Sequence, residues 1–496
     1  MTRVAACAGR VSDSGFSREE VDEAVEKTGL LTLEIELTRA CDFRCAYCRA
    51  AAASSLEDEL SEAEIRDVVL QAKDLGARKI IIRGGEPTLY PKISEMVRFI
   101  RAQQLQVELL TNGSRITADL GRELFEQQVR VVLKMNSLDQ KVQDSLTGRS
   151  GSFELVQAAL GNLRQAGYPS EKGLLAVSTL VCRQNVAELP SVWSWLRDRG
   201  IAPSLEIMTP RLQGKEDEWA AVDSEELRNA LAAIADIDRR EYGEAWEPHP
   251  ALLGGECMRH KFSCLVCSQG DVMPCVGVDT PIGNVRTQKL CDIIKDSEII
   301  LDLKDHINTI KGPCRSCDEA DVCYGCRGAA YQLTGDYLAY DPTCQENADR
   351  QDEIVHLPFA VAGIIPQQLP MRVIDTLVGT GERSGEVSVT VSAEMPFVGE
   401  DGILDEVAYF EMMAQSMAAL NGFKQLGASG ASTKGYLVGA HDVKILGTAR
   451  VGDTLRISVY KDARFAQFGI IRGTVSRDDA LLARGEIKIW HDSVIS

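Results

Sequence analysis

The sequence predicts an α/β fold in its first half: a sheet of parallel strands with helices outside, open rather than closed. A small cysteine-rich segment follows, and then a C-terminal α+β domain. Three observations predict this. From Leu31 to Met208, short apolar strands alternate with amphipathic helices, the pattern of a parallel sheet. Between Cys257 and Cys344 the cysteines crowd together. Beyond about residue 360, hairpin-like strands surround one long apolar helix.

The elements follow in order. Residues 1 to 30 are polar and charged, a short helical lead-in. Leu31–Leu37 alternates with period two and reads as the first strand. Ser61 to Asp74 has helical spacing and opens on the capping box Ser61-Glu-Ala-Glu64. Strands are then predicted at Lys79–Arg83, Gln106–Leu110, Val131–Met135, Leu174–Val181 and Pro203–Met208. Between them lie helices at Ile93–Gln103, Ala118–Gln128, Phe153–Ala166 and Leu189–Arg199. Six strand-helix units are fewer than the eight that close a TIM barrel. Residues 31–250 thus form an α/β partial barrel, 251–352 the cysteine-rich domain, and 360–496 the C-terminal domain. In the last, strands at Arg372–Val378 and Gly385–Ser392 precede the helix Leu404–Leu420. Strands at Gly435–Leu446, Thr454–Val459, Gln467–Val475 and Leu481–Trp490 follow.

Bulk properties exclude several classes. A chain of 496 residues exceeds one ordinary core. The formal charge of −19 lacks the basic footprint of nucleic-acid binding. No apolar run reaches the length of a membrane span, and Met1–Arg10 has no signal-peptide core. A cytoplasmic location is expected. The 15 cysteines then point to metal or cluster ligation rather than disulfides.

The most informative string is Cys41-Asp42-Phe43-Arg44-Cys45-Ala46-Tyr47-Cys48. Three thiolates in one loop hold three irons of a cubane and leave the fourth open, where an electron-transfer cluster takes four cysteines. A zinc knuckle is the competing reading. The spacing resembles the signature of radical S-adenosylmethionine (SAM) enzymes, whose fold is a partial TIM barrel. That resemblance implies a 4Fe–4S cluster whose open iron is chelated by SAM, and reductive cleavage of SAM to a 5′-deoxyadenosyl radical that takes hydrogen from substrate. Gly84-Gly85-Glu86-Pro87 ends the next strand and resembles the family's Gly-Gly-Glu-Pro motif, which holds the SAM amino group. Read from the residues alone, Glu86 pairs with an ammonium or is solvated. Asn112, and Asn136 or Ser137, end later strands and by resemblance lie near SAM. Tyr47 resembles the aromatic beside the adenine; otherwise it covers the cluster.

Cys257 and Gly270 are separated by twelve residues, and Gly270-Asp-Val-Met-Pro-Cys275 follows. Cys314-x2-Cys317-x5-Cys323-x2-Cys326 and Cys344 complete the block. It resembles the SPASM domain, which carries two auxiliary 4Fe–4S clusters; paired zinc sites are the alternative. The resemblance implies Cys257, Cys264, Cys275 and Cys326 on the first cluster, with Cys267 competing with Cys264. It implies Cys314, Cys317, Cys323 and Cys344 on the second. The acid that sulfatase-maturing members carry after this Pro-Cys is Val276 here.

Residues 360–496 resemble hotdog-fold 3-hydroxyacyl-carrier-protein dehydratases, through Leu369–Asp375, Phe410–Gln415 and Val451–Thr454. Glu411 sits at the family's acid position. The matching histidine is absent, since the early Pro-His is Pro366-Gln367 and His441 lies on a predicted strand. The domain is therefore expected to be dehydration-incompetent, and to pair two copies in a homodimer.

The leading expectation is a radical SAM/SPASM enzyme with three 4Fe–4S clusters. It would be reduced by a flavodoxin or ferredoxin and act on an acyl- or carrier-protein-linked substrate. One alternative is a maturase of a ribosomal peptide or protein, with the hotdog domain as dimeriser. Another is a non-catalytic zinc scaffold.

Overall fold

The computed structural model describes residues 10–11, 15–48, 54–207, 222, 224–246, 259–318, 320, 323–344, 357–380, 383–424, 435–465, 468–478 and 480–491. The chain forms two compact units. The first is Met1–Lys304 with Glu319–Leu333 and Asp341–Asp349. The second is Asp305–Asp318, Thr334–Tyr340 and Arg350–Ser496.

In the first unit, β1 (Arg10–Val11) pairs with β2 (Phe16–Ser17) ahead of α1 (Arg18–Glu26). The barrel runs β3 (Thr32–Glu36), α2 (Glu62–Asp74), β4 (Lys79–Arg83), α3 (Ile93–Ala102), β5 (Gln106–Thr111), α4 (Ala118–Glu126) and β6 (Arg130–Lys134). It continues α5 (Gln140–Thr147), α6 (Ser152–Ala166), β7 (Leu175–Val181), α7 (Leu189–Arg197), β8 (Ala202–Ile207) and α8 (Ser224–Ile237). Then come β9 (Ser263–Val266), β10 (Asp271–Met273), β11 (Gly283–Asn284), α9 (Leu290–Asp296) and α10 (Glu298–Lys304). Ser61 caps α2 through the expected capping box with Glu64.

Among the described residues the sheet has nine strands in the order β11-β10-β9-β3-β4-β5-β6-β7-β8, parallel from β9 to β8. The six expected strands are there. The cysteine-rich region adds a hairpin beside β3, so β9 is a seventh parallel strand. One face packs Leu33, Ile35, Ile80, Ile82, Val107, Leu109, Val131 and Leu133 under the helices. Alternation puts Glu34, Glu36, Arg83, Lys134, Ser178 and Glu206 on the other, inner face. β3 is buried on both faces, where simple alternation predicts one polar, solvated side. Its glutamates are tolerated because they are paired: Glu34 with Arg83 at 2.7 Å and Arg259 at 3.5 Å, Glu36 with Arg39 at 3.5 Å.

The second unit opens with α11 (His306–Thr309). Helix α12 (Arg327–Thr334) leads to its next segment. Its antiparallel sheet is formed by β12 (Phe359–Ala360), β13 (Thr376–Thr380), β14 (Ser384–Thr390), β15 (Gly435–Ile445), β16 (Thr454–Phe465), β17 (Phe468–Arg477) and β18 (Ala480–His491). The order is β12-β13-β14-β16-β17-β18-β15. One helix, α13 (Val407–Lys424), lies on it, burying Tyr409, Met412, Met413, Met417 and Leu420 against Val387, Leu455, Ile457 and Ile487. This is the predicted hotdog arrangement.

Candidate functional site

The triplet Cys41, Cys45 and Cys48 occupies the loop after β3, and six hydrogen bonds hold that loop. Glu59 accepts from Thr38 Oγ1 at 2.9 Å and from the Arg39 N–H at 2.6 Å. The Gly84–Pro87 loop is zipped to it: the Gly85 N–H donates to Thr38 O, and the Glu86 N–H donates to Ala40 O at 2.7 Å. A Cβ on Gly84, whose φ is +140°, would meet Thr38 O at 2.4 Å, and one on Gly85 would meet Ala40 O at 2.2 Å. The two glycines are thus required by this backbone approach. The far end of the loop hangs from α5, where the Arg44 N–H donates to Thr147 O at 2.9 Å and the Ala46 N–H to Leu146 O at 3.3 Å.

Glu86 is fully buried, which removes the solvated reading. Its carboxylate accepts from the Thr88 N–H at 3.0 Å, Thr88 Oγ1 at 2.5 Å, Thr111 Oγ1 at 2.6 Å and the Asn112 N–H at 2.7 Å. Burial raises its pKa, and these hydrogen bonds pull the other way. The acid therefore ties the Gly84–Pro87 loop to the end of β5. There Asn112 Nδ2 reaches Cys41 Sγ at 3.9 Å and Asp42 Oδ1 at 3.1 Å.

Tyr47 lies against the end of β6 and accepts from Asn136 Nδ2 at 2.6 Å. Asn136 is fully buried and already engaged: its Oδ1 accepts from the Leu180 N–H and its N–H donates to Gln143 Oε1. Ser137 is also buried, its hydroxyl accepting from the Asp139 N–H at 2.9 Å. Within the strand-end string Lys134–Asp139, motif reading singled out Asn136 and Ser137 and gave Lys134 no role of its own. Its ammonium sits 5.9 Å from the Tyr47 ring centroid and donates to Ser178 Oγ at 3.0 Å and Glu206 Oε2 at 2.7 Å. The available signal was charge at inward positions near the strand ends: Glu36, Arg83, Lys134 and Glu206.

Burial pushes the Cys45 thiol up to about 11 and raises Cys41 also, and charge on each neighbouring thiol adds to this. Cys41 and Cys45, which burial keeps protonated, suit a cationic iron centre, which ligates them as thiolates. A backbone donor is already in place, the Phe43 N–H at 3.4 Å from Cys41 Sγ. Among the described residues, no three His, Cys, Asp or Glu side chains gather closely enough for one metal ion. Three thiols in one loop are a donor set that fits a sulfide-bridged iron cluster.

Of the later cysteines, Cys257 lies outside the described residues. Cys264 is on β9 with its side chain in the helix-side core, and burial pushes its thiol up to about 12. Cys275 follows β10, and its Sγ accepts from the Gly277 N–H at 3.3 Å. Cys326 precedes α12, and its Sγ accepts from the Ala329 N–H at 3.3 Å. The Cys275 and Cys326 turns meet where Gly277 and Gly328 touch; a Cβ on Gly277 would lie 2.4 Å from Gly328 Cα. Strand register sets Cys264 at the same end of the β9–β10 hairpin as Cys275, since Leu265 pairs with Met273. Cys267 leaves β9 at the other end, toward Glu36 and Arg39. Cys314 and Cys317 fold within the second unit, and Cys323 and Cys344 within the first.

In the C-terminal domain, Glu411 on α13 accepts from Gln415 Nε2 at 2.8 Å, and Gln415 also binds Met371 O and the Val373 N–H. His441 is exposed on β15.

Comparison with known proteins agrees with this geometry. The family model of the Radical SAM superfamily matches residues 35–192. That of the iron-sulfur cluster-binding domain SPASM matches 257–318, and that of the ApeP dehydratase matches 359–494. The AdoMet-dependent heme synthase of Methanosarcina barkeri is 28% identical over 336 residues, covering 62% of this chain and 94% of its own length. The mycofactocin maturase MftC of Mycolicibacterium smegmatis is 28% identical over 334 residues, covering 64% and 83%. In fold, the chain is similar to Streptococcus suis SuiB bound to its precursor peptide SuiA. That match has a TM-score of 0.52 and 19% identity, and covers 68% of this chain and 84% of that one. Successive segments of the chain thus match the Radical SAM superfamily, the SPASM iron-sulfur cluster-binding domain and the ApeP dehydratase, and the last segment has the hotdog arrangement.

Proposed function

We propose that this chain is a radical SAM enzyme that modifies a peptide or protein substrate. The observation that carries this is the inner face of the barrel at the strand ends. Lys134, Ser178, Glu206, Arg83, Glu34 and Glu36 line it with charge and hydrogen-bonding groups. Such a lining suits amide and charged side-chain groups and penalises an alkyl chain. The likeness to a mycofactocin maturase supports the same choice. The balance therefore moves from the acyl substrate to the peptide one.

Cys41, Cys45 and Cys48 would hold the SAM-binding cluster, with Gly84–Pro87, Asn112 and Lys134 around SAM. When bound, the reduced cluster and SAM supply the radical that removes hydrogen from substrate. The residues do the rest. Glu86 fixes the loop, Tyr47 and Asn136 close the pocket wall, and Lys134 presents a cation beside Cys45. Cys257, Cys264, Cys275 and Cys326 would ligate a first auxiliary cluster. Cys314, Cys317, Cys323 and Cys344 would ligate a second, making three 4Fe–4S clusters per chain. A flavodoxin or ferredoxin would be the reductant and the cytoplasm the compartment. Among the described residues no helix is long and apolar enough to cross a membrane.

The ApeP-like match favours a second reading, an acyl- or carrier-protein-linked substrate. In either reading the C-terminal domain would pair two copies. Its edge strand β15 supports this by exposing Tyr436, Leu437 and Val438. With Glu411 bound by Gln415 and Gln367 in place of histidine, it would not dehydrate. The test is anaerobic turnover with a short peptide encoded beside the gene and, in parallel, an acyl-carrier substrate. Peptide modification by mass spectrometry, with deuterium passing from labelled peptide into 5′-deoxyadenosine, supports the first reading. Transfer only from the acyl substrate refutes it.

A further inference from the structure

Two short segments of the cysteine-rich region, Asp305–Asp318 and Thr334–Tyr340, fold with the C-terminal sheet rather than with the barrel. Specific contacts tie them there. Lys311 is 2% exposed. Its N–H donates to Leu338 O at 2.9 Å, and its ammonium donates to Asp336 Oδ2 at 2.6 Å. The same ammonium lies 4.2 Å above the ring of Phe423, on α13. Phe423 is buried in the C-terminal core and packs edge-on against Phe359 at 5.5 Å. From β13, Thr380 Oγ1 donates to Gly335 O at 3.3 Å. The other Asp336 oxygen accepts from the Leu338 N–H at 2.9 Å.

A buried ion pair returns little net stability, because desolvating both charges offsets most of their attraction. What it fixes is geometry. An aromatic face adds attraction for a desolvated cation and prescribes where that cation sits. Lys311 precedes Cys314 by three residues, across Gly312 at φ +66° and the ring of Pro313. The backbone at Lys311 therefore sets where the turn bearing Cys314 and Cys317 begins.

We infer that Phe423, Lys311 and Asp336 are positioning residues for Cys314 and Cys317. Helix α13 is then part of what places these two thiols within the second unit, independent of any acyl chemistry. This rests on the proposed ligation by Cys314 and Cys317, and the experiment separates the two claims.

Full-length protein is reconstituted anaerobically with iron and sulfide as wild type, Phe423→Leu, Phe423→Tyr, Lys311→Met and the double variant Cys314→Ala/Cys317→Ala. Iron per chain, the electron paramagnetic resonance spectrum and reduction potential of the reduced clusters, and far-UV circular dichroism are recorded. The double cysteine variant should lose one cluster, about four irons. Phe423→Leu and Lys311→Met should keep the wild-type dichroism while that same cluster's signal and potential shift or vanish. Phe423→Tyr, which keeps the aromatic face, should restore them. If Lys311→Met does not fold, the Phe423→Leu and Phe423→Tyr pair decides. Wild-type spectrum, potential and iron in Phe423→Leu overturn the positioning role. Wild-type iron and spectrum in the double cysteine variant overturn the ligation, and the inference with it.

Discussion

Glu86→Gln separates two roles that family resemblance merges. If the acid only holds the SAM amino group, the substitution weakens SAM binding and leaves the SAM-free protein unchanged. The structure gives it an earlier role. Thr88 N–H, Thr88 Oγ1 and Thr111 Oγ1 all point at one carboxylate oxygen, and the Asn112 N–H points at the other. A glutamine offers one acceptor oxygen. Turned one way, its NH2 faces the Asn112 N–H; turned the other, it faces the Thr88 N–H. The threonine hydroxyls can rotate to accept, but one buried backbone N–H is orphaned in either orientation. That costs about 1–3 kcal/mol, reduced in part because burial disfavours the charged form of Glu86. For a unit of this size the loss is about 1–4 °C in melting temperature without SAM. Glu86→Ala orphans both N–H groups and should cost about twice as much. The assay is thermal unfolding of the anaerobically reconstituted protein with and without SAM. A Glu86→Gln protein that melts like wild type without SAM, and differs only in SAM affinity, would refute the organising role.

Gly85→Ala forces a Cβ to 2.2 Å from Ala40 O, a contact only backbone movement relieves. It should cost the radical cluster, read as about four fewer irons per chain. Gly161→Ala, in α6 with nothing within 4 Å of the new Cβ, should be neutral or slightly stabilising, by about 0.5–1 kcal/mol. Glu34 gives a pH dependence. Burial works to raise its carboxyl, but the Arg83 and Arg259 guanidiniums outweigh burial and hold it below its ordinary value. A carboxyl lowered on folding contributes stability that is full above its unfolded pKa, about 4.3, and is lost as pH falls through the folded value. Thermal melts of wild type should therefore fall in that acid window. Glu34→Gln should start less stable at pH 7, with Arg83 left unpaired, and lose less between pH 5 and 3, about the window just derived. Equal slopes for both proteins would contradict the pairing.

The barrel was legible because its strands and helices repeat a simple pattern, and because Ser61, Gly84 and Gly85 carry local rules that leave one solution. The C-terminal sheet was legible for the same reason. What escaped was what tertiary pairing decides. β9 is four residues long and reads as part of a cysteine loop, yet it becomes the strand beside β3. Helix α5 is short and polar, and its value lies in Thr147 and Leu146 holding the cysteine loop from 100 residues away in sequence, about the span of a small domain. Lys134 is one charged residue in a strand until the curvature of the sheet gives it Tyr47, Ser178 and Glu206. Glu86 was found as a motif, but the direction of its carboxylate depends on Thr111 and Asn112, which no spacing rule brings to it.

Cys41, Cys45 and Cys48 are proposed to support radical SAM chemistry. The direct measurement is 5′-deoxyadenosine formed when anaerobically reconstituted wild type and Cys45→Ala are incubated with SAM and dithionite. Wild type should form 5′-deoxyadenosine and carry about twelve irons per chain, and Cys45→Ala, which lacks one of only three ligands, should cleave no SAM. Cleavage retained in Cys45→Ala, or stoichiometric zinc with no cleavage in wild type, would contradict that role.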